Sequence, residues 1–420
     1  MKITPSRIGF VSTRFSGTDG VSLETVKWAR ILSEMGHECF YFAGESDRPE
    51  ERTVIVPEAH FKHPDIEDLN HDLFDNYTRS SKTSGLIQAF RFHLKQHLYQ
   101  FIRTFDINLL IVENALSLPM NIPLGLALSE LIAETQIATI GHHHDFSWER
   151  SRFAVTAAED YLRAAFPPTL PSIHHAVINS FAARQLALRT GASSSLIPNV
   201  MDFDHPPPPL DDVARGLRAD LGIPDGAHLL LQPTRIVPRK RIELAIELAR
   251  RVERECVLVI THKAGDEGSA YPERLRDYAE LLGVPVIFGS EIVNHQRGEL
   301  PDGRKIYALA DAYLQADLVT YPSTVEGFGN AFLETIYYKR PIVLSTYEIF
   351  KTDIQPKGFR IIGCEDFIQD ETVEQARAVL DNPALGESMA ERNYEIGRRH
   401  YSYSMLRTKL AVLLSECLDT

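Results

Sequence analysis

The sequence predicts an α/β protein made of two Rossmann-like domains that face each other across a cleft. Three observations lead there. Short apolar runs alternate with helical-period segments along the chain, the alternation restarts after four consecutive prolines at 206–209, and 420 residues suit two or three domains at roughly 150 residues each. Strands separated by helices imply parallel sheets covered on both faces, with right-handed crossovers.

The first strand is read at residues 8–11, a short apolar run, IGFV. A helix follows over 21–35, with Val21, Thr25, Trp28, Leu32 and Met35 along one face. More strand-like runs lie at 109–112, 137–140 and 176–178. Consecutive prolines support neither helix interior nor sheet ladder, so 206–209 reads as a stiff hinge. Beyond it come strands at 229–231, 257–260, 286–288, 318–321 and 342–344, with helices starting at Lys240, Tyr271, Lys305 and Asn330 between them. The expected domains are 1–204 and 205–402. A final helix, 405–418, has Leu406, Leu410, Leu413, Leu414 and Cys417 on one face, and segment 403–420 is expected to pack back on the first domain.

Composition narrows the function. The 57 acidic and 44 basic side chains give a net charge of −13, which argues against broad nucleic-acid binding because phosphate affinity needs clustered Lys and Arg. Cys39, Cys256, Cys364 and Cys417 are far apart and make no C-x-x-C pair, so neither a disulfide framework nor a zinc-thiolate site is suggested. The N-terminal stretch has no apolar core of signal-peptide length, and no stretch approaches the roughly 18 apolar residues of a membrane span. A cytoplasmic location is expected.

Open α/β sheets bind ligands at the carboxyl ends of their strands, and four segments follow strands there. In Ser16-Gly17-Thr18-Asp19-Gly20-Val21, two glycines allow close backbone approach and the next helix offers its N–H groups to an anion; an ordinary strand-to-helix turn has the same composition. Arg235 and Lys240 follow the first strand of the second half, and two fixed cations suit a diphosphate, although a solvated basic turn is the plainer reading. In Glu326-Gly327-Phe328-Gly329-Asn330, the glycines let backbone approach a ligand and Asn330 opens a helix, with Glu334 a turn further in. Carboxylates suit vicinal sugar hydroxyls because they accept two hydrogen bonds. The fourth segment runs from Gly141 through His142, His143, His144 and Asp145 to Arg150. Alternation on extended backbone keeps His142 and His144 off the face of His143, which argues against a three-histidine metal site; buried, hydrogen-bonded histidines are the alternative.

Together these segments resemble the retaining glycosyltransferases of the GT-B fold, family four. Glu326, Phe328, Gly329 and Glu334 match the family's E-x-F-G-x(4)-E signature, and Arg235 and Lys240 its R-x(4)-K pair. The I-P-N-V-M-D stretch starting at Ile197 and the L-x-x-x-G-H-E stretch starting at Leu32 match two further motifs. The resemblance implies transfer of a hexose from a nucleoside diphosphate sugar, of UDP-glucose or GDP-mannose type, to a hydroxyl of a small soluble acceptor such as a sugar, polyol or sugar acid. It makes Arg235, Lys240, Glu326 and His144 catalytic, with His143 the alternative to His144. Gly17, Gly20, Gly327, Phe328, Gly329, Asn330 and Glu334 join Arg235 and Lys240 in holding the donor. His143, Asp145, Trp148, Glu149 and Arg150 fall on the acceptor side. No metal and no cofactor are expected, because the basic pair neutralises the diphosphate. Two departures bear on the donor: Asp19-Gly20 stands where many relatives have adjacent glycines, and Tyr347-Glu348-Ile349-Phe350 replaces a later glycine pair.

Three other readings are weighed. A nicotinamide-dependent oxidoreductase would need a G-x-G-x-x-G turn, which neither half has after its first strand. A nucleotide-sugar-binding protein without catalysis is opposed by the complete Arg235, Lys240, Glu326, Glu334 set. A membrane-peripheral enzyme with a lipid-linked or polysaccharide acceptor would use residues 79–103, whose five basic side chains and apolar stripe at Ile87, Phe90, Leu94, Leu98 and Phe101 could lie on anionic lipid. A surface helix of the first domain is the plainer reading.

Overall fold

The computed structural model describes residues 5–17, 19–263 and 270–418, which fall into two compact units, 1–200 with 403–420 and 201–402. In the first unit the elements are β1 (Arg7–Val11), α1 (Gly20–Glu34), β2 (Glu38–Ala43), β3 (Thr53–Ile55), α2 (Pro64–Leu73), α3 (Ser81–Phe105), β4 (Leu109–Glu113), α4 (Ile122–Thr135), β5 (Ala138–His143), α5 (Glu159–Ala165), β6 (Ile173–Val177), α6 (Ser180–Thr190) and β7 (Ser194–Leu196). Their strands form one parallel sheet, β3-β2-β1-β4-β5-β6-β7. Every residue of β4 is buried, as expected of a strand with helices on both faces.

The second unit runs α7 (Asp212–Asp220), β8 (His228–Gln232), α8 (Ile242–Arg251), β9 (Cys256–Ile260), α9 (Ala270–Leu282), β10 (Val286–Phe288), β11 (Val293–Asn294), β12 (Gly298–Glu299), β13 (Lys305–Ala308), α10 (Leu309–Gln315), β14 (Leu318–Tyr321), α11 (Asn330–Tyr337), β15 (Ile342–Ser345), β16 (Ile362–Cys364), α12 (Asp370–Asp381) and α13 (Pro383–Tyr401). Its main sheet is β10-β9-β8-β14-β15-β16, all parallel, and β11-β13-β12 form a small separate sheet. Strand order reverses between β1 and β4 in one unit and between β8 and β14 in the other. A crevice opens at the carboxyl ends of such strands, and the candidate residues lie beside these two switch points.

The last helix, α14 (Tyr403–Leu418), belongs to the first unit. Leu406, Leu410, Leu413 and Leu414 are at most 1% exposed and share a core with Trp28, Ile31 and Leu32 of α1. Each such leucine contributes roughly 1.5–3 kcal/mol by leaving water.

Two expectations change. Lys305 starts a strand rather than a helix: β13 pairs with β11 and β12, and the helix begins at Leu309, where the Asp311 carboxylate accepts from the Ala308 N–H. On α3, Ile87, Leu94, Leu98 and Phe101 are fully buried and Phe90 is half-buried, Arg91 and Lys95 pair with Glu130, and Arg79, just before the helix, pairs with Asp160. Four of the five stripe side chains are core, so the stripe as a whole is not an exposed apolar face. Among the described residues, no helix is long and apolar enough to cross a membrane.

Candidate active site

In the first unit the site forms where β1, β4 and β5 end. The Ser12 hydroxyl donates to the Glu113 carbonyl at 3.1 Å, tying β1 to β4. Asn114, in the left-handed region at φ 57°, donates its N–H to the His142 carbonyl at 3.0 Å, and its Oδ1 accepts from the His144 N–H at 2.7 Å. β5 runs three residues past its apolar stretch, so side-chain alternation places His142 and His144 on one face and His143 on the other.

On the first face, one oxygen serves two rings. Glu113 Oε2 lies 2.9 Å from His142 Nδ1 and 3.3 Å from His144 Nε2. The His142 ring stacks on Trp28 at 4.0 Å. Burial by itself would raise the Glu113 carboxyl, but the two histidines bring it down to about 2. For His144, burial pulls the pKa down and the Glu113 carboxylate 3.3 Å away outweighs it, so the net shift is upward. Burial dominates at His142, which is lowered.

On the opposite face, His143 Nε2 meets His175 Nδ1 at 2.9 Å. His143 is 0% exposed against 7% for His144, so its side chain lies in the core of the first unit. Beyond the strand, Asp145 pairs with Arg150 at 2.6 Å, and Trp148 stacks on Phe146 at 4.5 Å. Glu149 accepts from the Phe146 N–H at 2.7 Å, and burial raises its carboxyl.

The first loop departs from expectation. Asp19 caps α1, its Oδ1 accepting from the N–H groups of Val21 and Ser22 at 3.1 Å each, and Arg14 pairs with its other oxygen. Those N–H groups are therefore already satisfied by the chain's own carboxylate. Gly17 has φ 76°, Gly20 opens the helix, and Thr18 lies outside the described residues.

In the second unit, Gln232 at the end of β8 donates to Thr234 and accepts from Thr320 of β14, locking the two strand ends together. Arg235 is exposed just beyond. Lys240 ends a short 3-10 turn, Arg241 takes φ 49°, and α8 starts at Ile242, two residues later than expected. Lys240 is ion-paired with Glu326, their side chains only 9% and 11% exposed, and its ammonium lies 5.1 Å from the Tyr321 ring centroid. Arg239 approaches the same carboxylate at 3.6 Å. Burial lowers the Lys240 pKa, and Glu326 opposes that shift.

Gly329 precedes α11 at φ 113°, where a Cβ would run into the Tyr347 hydroxyl. That hydroxyl donates to the Phe328 carbonyl at 2.6 Å, so the tyrosine standing in place of a family glycine braces the loop. A glycine N-cap has no side chain to satisfy the helix N-terminus, which makes α11, unlike α1, suited to negative charge. Asn330 opens the helix, and Glu334 Oε2 accepts from the Tyr313 hydroxyl at 2.8 Å. The structure thus gathers Lys240, Glu326, Phe328, Gly329 and Tyr347 around one loop.

Sequence reasoning missed Glu113 and Tyr321, and saw Tyr347 only as a departure from a family glycine. An acid closing the apolar run Leu-Leu-Ile-Val was a signal for the first; the second, a tyrosine in apolar surroundings, gave none. Among the described residues, Glu113, His142 and His144 have ligand atoms within 4.8 Å of one another, close enough to meet one cation. The hydrogen bond between Glu113 and His142 and the charge contact of Glu113 with His144 also account for that spacing.

Two parallel α/β units with acids, bases and glycine turns at their switch points are the architecture of GT-B glycosyltransferases. Over nearly its whole length the chain is similar to a glycosyltransferase from Rickettsia africae ESF-5, with a TM-score of 0.70 at 12% identity and 99% of both chains covered. It also resembles Anabaena HepE in complex with UDP-glucose, at TM-score 0.62 and 14% identity, covering 98% of this chain and 100% of that one. The profile of the family "Glycosyl transferases group 1" matches residues 214–396. Mannosylglucosylglycerate synthase of Thermotoga maritima is 32% identical over 442 aligned positions, which cover 96% of this chain and 99% of that protein. The chain belongs to the group 1 glycosyltransferases.

Proposed function

We propose that this glycosyltransferase moves a hexose from a nucleoside diphosphate sugar to a hydroxyl of a small sugar acid, with retention at the anomeric carbon. The observation that carries this reading is the cluster at the ends of β8 and β14. Lys240 and Glu326 are paired there beside Arg235 and the glycine-capped start of α11, with Glu334 one turn on. Cations and helix N–H groups suit a diphosphate, and Glu334 suits ribose hydroxyls. The relative's name contains a mannosyl group and a glycerate, which favours a mannosyl donor of GDP-mannose type and a carboxylated acceptor.

In the reaction, the bond from the anomeric carbon to the phosphate oxygen breaks and a bond to the acceptor oxygen forms on the same face. The acceptor's proton passes to the leaving phosphate. Negative charge grows on that phosphate, so preplaced cations lower the barrier. Lys240 and Arg235 supply them, and Glu326 keeps a buried Lys240 charged. The family resemblance gives His144 the contact with the transferred sugar. No divalent ion is required in this scheme.

Thermal stabilisation by GDP, UDP and ADP tests the donor, since ligand at 100 times its dissociation constant adds roughly 2.7 kcal/mol. Transfer from GDP-mannose to a sugar acid, followed by NMR of the product with and without EDTA, tests the rest. An α-linked product formed in EDTA is expected. A β-linked product, or metal-reversible loss of activity, would overturn the corresponding part.

A further inference from the structure

Glu113 is an ionised carboxylate with no exposure to solvent, at the end of a strand that the donor chemistry does not use. Such a group is costly to bury unless paired and hydrogen-bonded, and here its partners are two histidine rings. Every neighbouring element holds this arrangement in place. Ser12 of the β1 end and Asn114 fix the backbone on either side, and Trp28 of α1 covers the far face of His142. Glu24, also buried, is itself tied to Lys27 at 2.8 Å and accepts from the Val200 N–H at 3.0 Å. The charged and titratable groups facing His144 are Glu113 from β4, Glu24 from α1, and Asp145 and His142 from its own segment.

We propose that Glu113 is a positioning residue for glycosyl transfer. Through one carboxylate oxygen it hydrogen-bonds His142 Nδ1 and holds His144 Nε2 by charge at 3.3 Å, which leaves Nδ1 of His144 as the nitrogen presented to the substrate. Without Glu113, the His144 ring could rotate and exchange its two nitrogens; with it, the inward nitrogen carries a proton and the outward one has a fixed direction. His142, clamped between Glu113 and the Trp28 ring, is the wall against which the pair is held. The inference rests on His144 being the histidine that meets the sugar.

The direct test leaves the chain unaltered. In full-length protein with ring-15N histidine, His144 should show a proton on Nε2 and His142 a proton on Nδ1. His144 carrying its proton on Nδ1 with a bare Nε2 would overturn the proposal. Glu113→Gln keeps the size and removes the charge; kcat should fall by roughly 10- to 100-fold, the range for losing a residue that orients an active-site group, with KM for donor and acceptor little changed. A wild-type circular dichroism spectrum and an unchanged unfolding transition in that variant show that the first unit still folds. Wild-type kcat in Glu113→Gln, alongside an inactive His144→Ala, defeats this inference alone. Normal transfer by His144→Ala defeats the underlying reading instead. A stoichiometric divalent metal held by the wild type and lost from Glu113→Gln would also overturn it, because the oxygen would then be a metal ligand.

Discussion

Lys240 and Glu326 form a nearly buried ion pair that bridges the turn after β8 and the loop after β14. Each is the other's main compensation for desolvation. Breaking such a pair from one side leaves an uncompensated charge and costs about 3–5 kcal/mol. Lys240→Met should therefore lower the unfolding midpoint as well as slow transfer by roughly 100-fold. The double variant Lys240→Met with Glu326→Gln should regain most of the stability and none of the activity. Denaturant titration and a transfer assay on both variants check this, and wild-type turnover by either would count against the pair's role.

Glu334 projects from the first turns of α11 with one oxygen held by Tyr313. Glu334→Gln preserves size and should weaken nucleoside diphosphate binding by about tenfold, near 1.4 kcal/mol, through loss of a charged acceptor for the ribose hydroxyls. Calorimetry with the free nucleotide reads this directly. Unchanged affinity would remove Glu334 from the nucleotide site.

Acid should destabilise the first unit through His143 and His175. Burial lowers His143 well below its ordinary value and takes His175 down to about 4. The folded values lie below the unfolded value of 6.5, so the unfolded chain binds more protons between pH 6.5 and about 4. Stability should fall as pH drops through that window, by at most about 1.4 kcal/mol per unit for each histidine. His175→Asn should flatten the dependence of the unfolding free energy on pH; an identical slope in the variant would refute this source.

Leu410 is fully buried in the core that α14 shares with α1. Leu410→Ala should cost about 2–5 kcal/mol, whereas Val412→Ala, at a position 56% exposed, should stay within about 0.5 kcal/mol. Chemical denaturation of the two variants separates them. Equal midpoints would mean that α14 contributes little to the first unit.

Most of the fold was legible because parallel strands buried on both faces are short apolar runs, as in β4, β9 and β14. Strand ends were harder. β5 continues through Gly141, His142 and His143, whose place in the sheet is set by pairing with β4 and β6 rather than by apolarity. Residues in the Arg235-to-Lys240 and Glu326-to-Glu334 motifs could be named from spacing, yet spacing did not reveal that Lys240 and Glu326 pair with each other. The Glu113 carboxylate escaped because its partners lie 29 positions or more away in the chain. Asp19 was visible as a departure from adjacent glycines, but its capping of α1 depends on how the loop folds back onto the helix start.

The placement of α14 makes the order of synthesis matter. This helix leaves the ribosome after the whole of 201–402, yet the core it completes contains Trp28, Ile31 and Leu32. The first unit to emerge is thus the later one to be finished, and its apolar face stays open while the second is made. Such a surface is a target for chaperones and a source of aggregation during translation. A chain released at Ser402 should show 201–402 resistant to protease and the α1 face readily cut, and adding α14 as a separate peptide should restore protection.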